Sequence, residues 1–96
     1  MNEQEFAEIA RQTLTQIETR LEEAGVDYDL LSDGVLEAEL PDGRRMVINR
    51  YVALQELWLA APGGAYHFRW QDGAWRDTRS NETLEARLAQ EIGCPE

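Results

Sequence analysis

From residue 26 to residue 78 apolar and polar side chains alternate with a period of two, and turn-forming residues interrupt them at short intervals. The interruptions are Asp33-Gly34, Pro41-Asp42-Gly43, Pro62-Gly63-Gly64 and Asp72-Gly73. Turns this short join antiparallel neighbours, because a parallel pair needs a crossover of a dozen or more residues. The alternation therefore predicts six antiparallel strands, over 26–32, 35–40, 44–50, 56–60, 65–71 and 74–78.

The flanks change period. Phe6, Ile9, Ala10, Leu14, Ile17, Leu21 and Ala24 fall on one helical stripe, Asn2 and Glu5 have the spacing of a capping box, and Gly25 stands where a helix ends. A helix over 3–24 follows. At the other end Leu84, Leu88 and Ile92 form a second stripe, with Ser80 or Asn81 as its cap and Gly93 and Pro95 as its stop. Two helices with one apolar stripe each can cover one face of a sheet. The predicted fold is α+β, a two-layer α/β sandwich with the N- and C-terminal helices packed on one face of an antiparallel sheet of about six strands. Residues 1–96 form one domain in this reading, since a chain so short buries roughly 60–65% of its unfolded surface and has room for one core.

Successive strand side chains take opposite faces. Leu36, Leu40, Met46, Ile48, Leu57 and Leu59 are assigned to the helix-covered face, leaving Glu37, Glu39, Asn49, Glu56 and Trp58 on the open one. Trp58 then faces water beside polar groups, as an interaction surface would; the alternative is that it lies beneath a loop. Tyr66, Phe68 and Trp70 share a face and are read as core. His67, the single histidine, is read as a sheet-surface residue, so no catalytic dyad or triad is supported.

Nineteen acidic residues stand against nine basic ones, a formal net charge of −10, which argues against nucleic acid as a partner. The acidic pole is the first third: residues 1–33 hold nine acids and only Arg11 and Arg20. Glu18, Glu22 and Glu23 close the first helix, where negative charge opposes the helix dipole, and Asp27 and Asp29 follow on one side of the first strand, with Asp33 beyond. Such oxygen donors suit hard cations, and an open row of them binds weakly. No Cys/His cluster or EF-hand spacing competes, and the lone Cys94 has no internal disulfide partner. The first residues show no leader pattern and no apolar run approaches membrane-spanning length, so a cytoplasmic protein without membrane contact is expected.

Ile48-Asn49-Arg50, Leu57-Trp58-Leu59-Ala60 and Gly63-Gly64-Ala65-Tyr66-His67-Phe68 resemble the sheet of the frataxin family, in particular its bacterial members. Met1-Asn2-Glu3-Gln4-Glu5-Phe6 and Arg79-Ser80-Asn81-Glu82-Thr83-Leu84 resemble its two helix starts. These five segments, in order, span almost the whole chain. The resemblance implies a small acidic protein, not an enzyme, that serves iron–sulfur cluster assembly as an iron donor or an iron-dependent regulator. It implies weak binding of Fe2+ or Fe3+ on Glu18, Glu22, Glu23, Asp27 and Asp29. It also implies a monomer that contacts a cysteine desulfurase and the scaffold protein through a surface including Asn49, Glu56 and Trp58. The chain departs from the family pattern around that surface: Tyr51 and Glu56 stand where glutamines are usual and Ala53 where proline is, and Ala7 replaces a histidine that some bacterial members carry. The reading that competes is an acidic interaction module or inhibitor that engages a basic partner and has no physiological metal.

Overall fold

A computed structural model describes residues 1–32 and 34–92. Its elements in chain order are α1 (Glu3–Glu23), β1 (Asp27–Ser32), β2 (Val35–Glu39), β3 (Arg45–Tyr51), β4 (Glu56–Ala61), β5 (Gly64–Gln71), β6 (Ala74–Asp77) and α2 (Leu84–Ile92). The strands form one antiparallel meander in the order β1-β2-β3-β4-β5-β6. The expected two-layer architecture is what is observed, with both helices on one face. Asp33 and the expected helix stop at Gly93 and Pro95, with Cys94, lie outside the described residues.

Local chemistry sets the limits of α1. The Glu5 N–H donates to Asn2 Oδ1 at 2.8 Å and the Asn2 N–H donates to Glu5 Oε1 at 3.1 Å, the reciprocal capping box. At the far end Gly25 takes φ 73°. The Val26 N–H then reaches the Leu21 carbonyl at 2.9 Å and the Gly25 N–H the Glu22 carbonyl at 3.1 Å, which is the Schellman pair. The start of α2 differs from expectation. Asn81 sits at φ 67°, outside the extended geometry of an N-cap, and Thr83 Oγ1 accepts from the Ala86 N–H at 3.2 Å instead.

Register puts Leu36 beside Ile48 and Ile48 beside Leu59, so the predicted helix-facing set stacks across neighbouring strands. Leu36, Met46, Ile48, Leu57 and Phe68 are fully buried against Phe6, Ala10 and Leu21 of α1 and Leu88 of α2. Burial of each such side chain contributes about 1.5–3 kcal/mol. Tyr66 and Trp70 flank this core as expected. A buried polar tie joins α1 to β6: the Trp75 indole N–H donates to Thr13 Oγ1 at 2.8 Å. Another closes the β4–β5 turn on α2. Arg87 holds Glu91 at 3.0 Å with its guanidinium 4.6 Å from the Tyr66 ring centre, and a Cβ on Gly63 would fall 2.5 Å from Glu91 Oε2.

Candidate metal and partner surfaces

The open face of the sheet carries the alternate register positions. Asp27 and Asp29 lie there on β1, Glu37 and Glu39 on β2, Arg45, Asn49 and Tyr51 on β3, Glu56 and Trp58 on β4, His67 and Arg69 on β5 and Arg76 on β6. The face assignment of Trp58 stands, but its expected openness to water does not. Its indole is sandwiched, with the Tyr51 ring stacked at 4.4 Å on one side and the His67 ring at 4.2 Å on the other, both within about 11° of parallel. Trp58 is consequently half-buried and the outward ring is Tyr51, 39% exposed.

Glu56 also departs from expectation. It projects to the open face yet is only 3% exposed, because its carboxylate serves its neighbours. One oxygen accepts the Trp58 indole N–H at 2.8 Å and the other the Arg69 guanidinium at 2.6 Å. Burial works against its charge, but the hydrogen bonds from Trp58 and Arg69 outweigh that and hold the carboxyl below its ordinary range. Glu56 thus positions the indole and is not a free contact group; Asn49, beside Trp58 in register, is exposed. A period of two does not encode this covering, which comes from the long side chains of Tyr51, His67 and Arg69 on adjacent strands. The available signal was the aromatic at position 51, opposite Glu56 in the hairpin.

The acidic residues of the first third form two groups. Tyr28 turns toward the helices, and its phenol donates to Glu22 Oε2 at 2.6 Å and to Glu18 Oε1 at 3.3 Å. That hydrogen bond to Glu22, aided by partial burial and the two negative charges, pushes the phenol well above the ordinary tyrosine range. Asp27 and Asp29, alternating with Tyr28, face the other way. They line a shallow concavity with Glu37, Glu39 and Arg45, whose guanidinium is 3.2 Å from Glu37. Glu23 ends α1 in an exposed position. Among the described residues no three His, Cys, Asp or Glu side chains are arranged to enclose a metal ion. What the geometry offers a cation is two open sets of oxygen donors, on either side of the edge strand, without the surrounding shell of a tight site. No helix among the described residues is long and apolar enough to cross a membrane.

Two terminal helices over an open six-stranded meander, with carboxylates gathered at the α1–β1 margin and an aromatic stack at the sheet centre, define the class. The family model of the Frataxin-like domain matches residues 1–94. The iron-sulfur cluster assembly protein CyaY of Dechloromonas aromatica is 41% identical over 91 residues, covering 93% of this chain and 87% of that protein. The CyaY of Vibrio cholerae is 39% identical over 92 residues, covering 95% and 88%. Among solved structures, frataxin from Psychromonas ingrahamii superposes with a TM-score of 0.87 at 34% identity, over 96% of this chain and 89% of that one. Trimeric frataxin from Saccharomyces cerevisiae, complexed with ferrous iron, gives 0.79 at 29% identity over 88% and 81%. The chain belongs to the frataxin family.

Proposed function

We propose that this chain is an iron-binding accessory protein of iron–sulfur cluster assembly. It acts as an iron donor or an iron-dependent regulator of a cysteine desulfurase and scaffold complex and is not itself an enzyme. The observation that carries the reading is the pair of open carboxylate sets about β1, Glu18 and Glu22 on one side and Asp27 and Asp29 on the other. Hard oxygen donors without an enclosing shell suit a cation that is cargo, held weakly enough to leave. Glu23, exposed at the end of α1, is the further helix carboxylate of the set. The relatives named for iron–sulfur cluster assembly, and the yeast frataxin complexed with ferrous iron, support the pathway and the cargo. Contact with the desulfurase and the scaffold is assigned to the acidic margin and to the open face around Asn49 and Trp58.

An anaerobic Fe(II) titration followed by amide NMR tests the reading. Selective perturbation of residues 18–29 is expected; no response at millimolar metal overturns the iron assignment. A reconstituted assembly reaction with desulfurase and scaffold, with iron varied, tests the role. The engagement of Glu18 and Glu22 by Tyr28 and of Glu37 by Arg45 favours a second reading, an acidic interaction module without a physiological metal. Charge reversal of Glu18, Glu22 and Glu23 that abolishes desulfurase binding, in a protein whose amides ignore iron, would select it.

A further inference from the structure

The register sorts charge across the open face. At the β1–β2 margin Asp27 stands opposite Glu39 and Asp29 opposite Glu37, two like-charge cross-strand pairs with Arg45 bonded to one of their members. At the other margin Arg69 stands opposite Arg76, a like-charge pair of the other sign. Arg69 is engaged by Glu56, and the Arg76 guanidinium reaches the Asn81 carbonyl at 3.5 Å. Like charges placed directly opposite one another destabilise a sheet. Here they occur at both margins, with opposite signs, roughly 19 Å apart from β2 to β6 at ordinary strand spacing. Between them lies the aromatic bar of Tyr51, Trp58 and His67.

Few occupants fit both margins. A cation answers the carboxylates alone. A lipid surface or a nucleic acid, uniformly negative, answers the arginines alone and is repelled by a chain of net charge −10. A folded protein can present both signs at a fixed separation and place an apolar group on the aromatic bar.

We propose that the open face docks a protein partner in one orientation, with basic groups of the partner over β1–β2 and acidic groups over β5–β6. The inference rests on the assembly reading and adds to it the polarity of the partner's surface. In this arrangement Arg76 and Asp29 set orientation from opposite ends, with Trp58 between them.

The test uses three variants of the full chain, Arg76→Glu, Asp29→Arg and the double substitution, titrated separately against purified cysteine desulfurase and purified scaffold protein. Each single substitution converts a like-charge cross-strand pair into an opposite-charge one, so the melting temperature should hold or rise while affinity for the partner falls by roughly three- to tenfold. The double variant has the net charge of the parent but a much weakened polarity, with the β5–β6 margin neutralised and the β1–β2 margin left only slightly negative. It should bind worse than either single variant, with effects that multiply because the sites are far apart. A double variant that binds like the parent would reduce the effect to net charge and overturn the proposal, as would single variants that bind normally. A parent chain that binds neither protein would remove the assembly reading, and this inference with it.

Discussion

Tyr28 and Glu22 share a 2.6 Å hydrogen bond that ties the edge strand of the sheet to the last turns of α1. Glu18 and Glu22 stand one helical turn apart, where like charges repel, and the single phenol O–H reaches both. The acidic margin is thus held together by a tyrosine, and a cation entering there competes with it.

Tyrosine ionisation reads this contact directly. Because the folded phenol is raised above its ordinary value, its stabilising contribution is complete below about pH 10 and is lost as the pH rises through the folded value. Ultraviolet titration should show one late phenolate step that Tyr28→Phe removes. The same variant should bind Fe(II) more tightly than the parent, since both carboxylates are released; weaker binding would make the phenol itself a ligand.

Glu56 supplies a pH dependence of the opposite sign. Its folded value is depressed, so its contribution is complete above the ordinary glutamate range and fades as the pH falls through the folded value. Glu56→Gln keeps an acceptor for the Trp58 indole and removes the charge that meets Arg69. Urea melts should show the variant less stable by about 1–2 kcal/mol near pH 7, a figure moderated by the half-exposed arginine. The difference should close below about pH 4.

Truncation separates the two faces of β4. Leu59→Ala, in the core, should cost about 2–5 kcal/mol. Trp58→Ala loses two ring stacks and one hydrogen bond and should cost about 1–3 kcal/mol, while binding to the scaffold weakens. Equal destabilisation by the two, measured by denaturant melts, would place the indole in the core.

Thr13→Val removes the acceptor that Trp75 uses between the layers. The indole N–H would then be buried without a partner, at a cost of about 1–3 kcal/mol, whereas Thr13→Ser should restore most of it. Thermal melts of the three proteins decide this.

The strand order, both helices and every residue assigned to the helix-covered face were legible because they depend on period and turn chemistry, which are local. Leu36, Met46, Ile48, Leu57 and Leu59 needed only the parity rule. The environment of Trp58 was not legible for the opposite reason. Parity gave its face, but its covering depends on how Tyr51 and His67 lie against it across strand boundaries. The carboxylates show the same limit. In the sequence Asp27 and Asp29 add to the helix glutamates, yet Tyr28 between them claims the helix side and turns both to the other face. Helix phase and strand phase are each visible in a sequence; their relative rotation about the connecting turn is not.

Gly63 has an ordinary negative-φ backbone, and the unusual turn geometry belongs to Gly64 at φ 142°. What crowds Gly63 comes from elsewhere: a Cβ there would meet the Glu91 carboxylate that Arg87 holds and, at 3.2 Å, the Tyr66 hydroxyl, so a larger residue asks Glu91 to shift. The space open to residue 63 therefore depends on residues 87 and 91. Among homologous chains, a larger residue in this turn should accompany a shortened or uncharged one at the position of Glu91, and the arginine should be lost in the same lineages. A substitution table that scores each position alone would read the glycine as a turn requirement, and would miss the contact with α2.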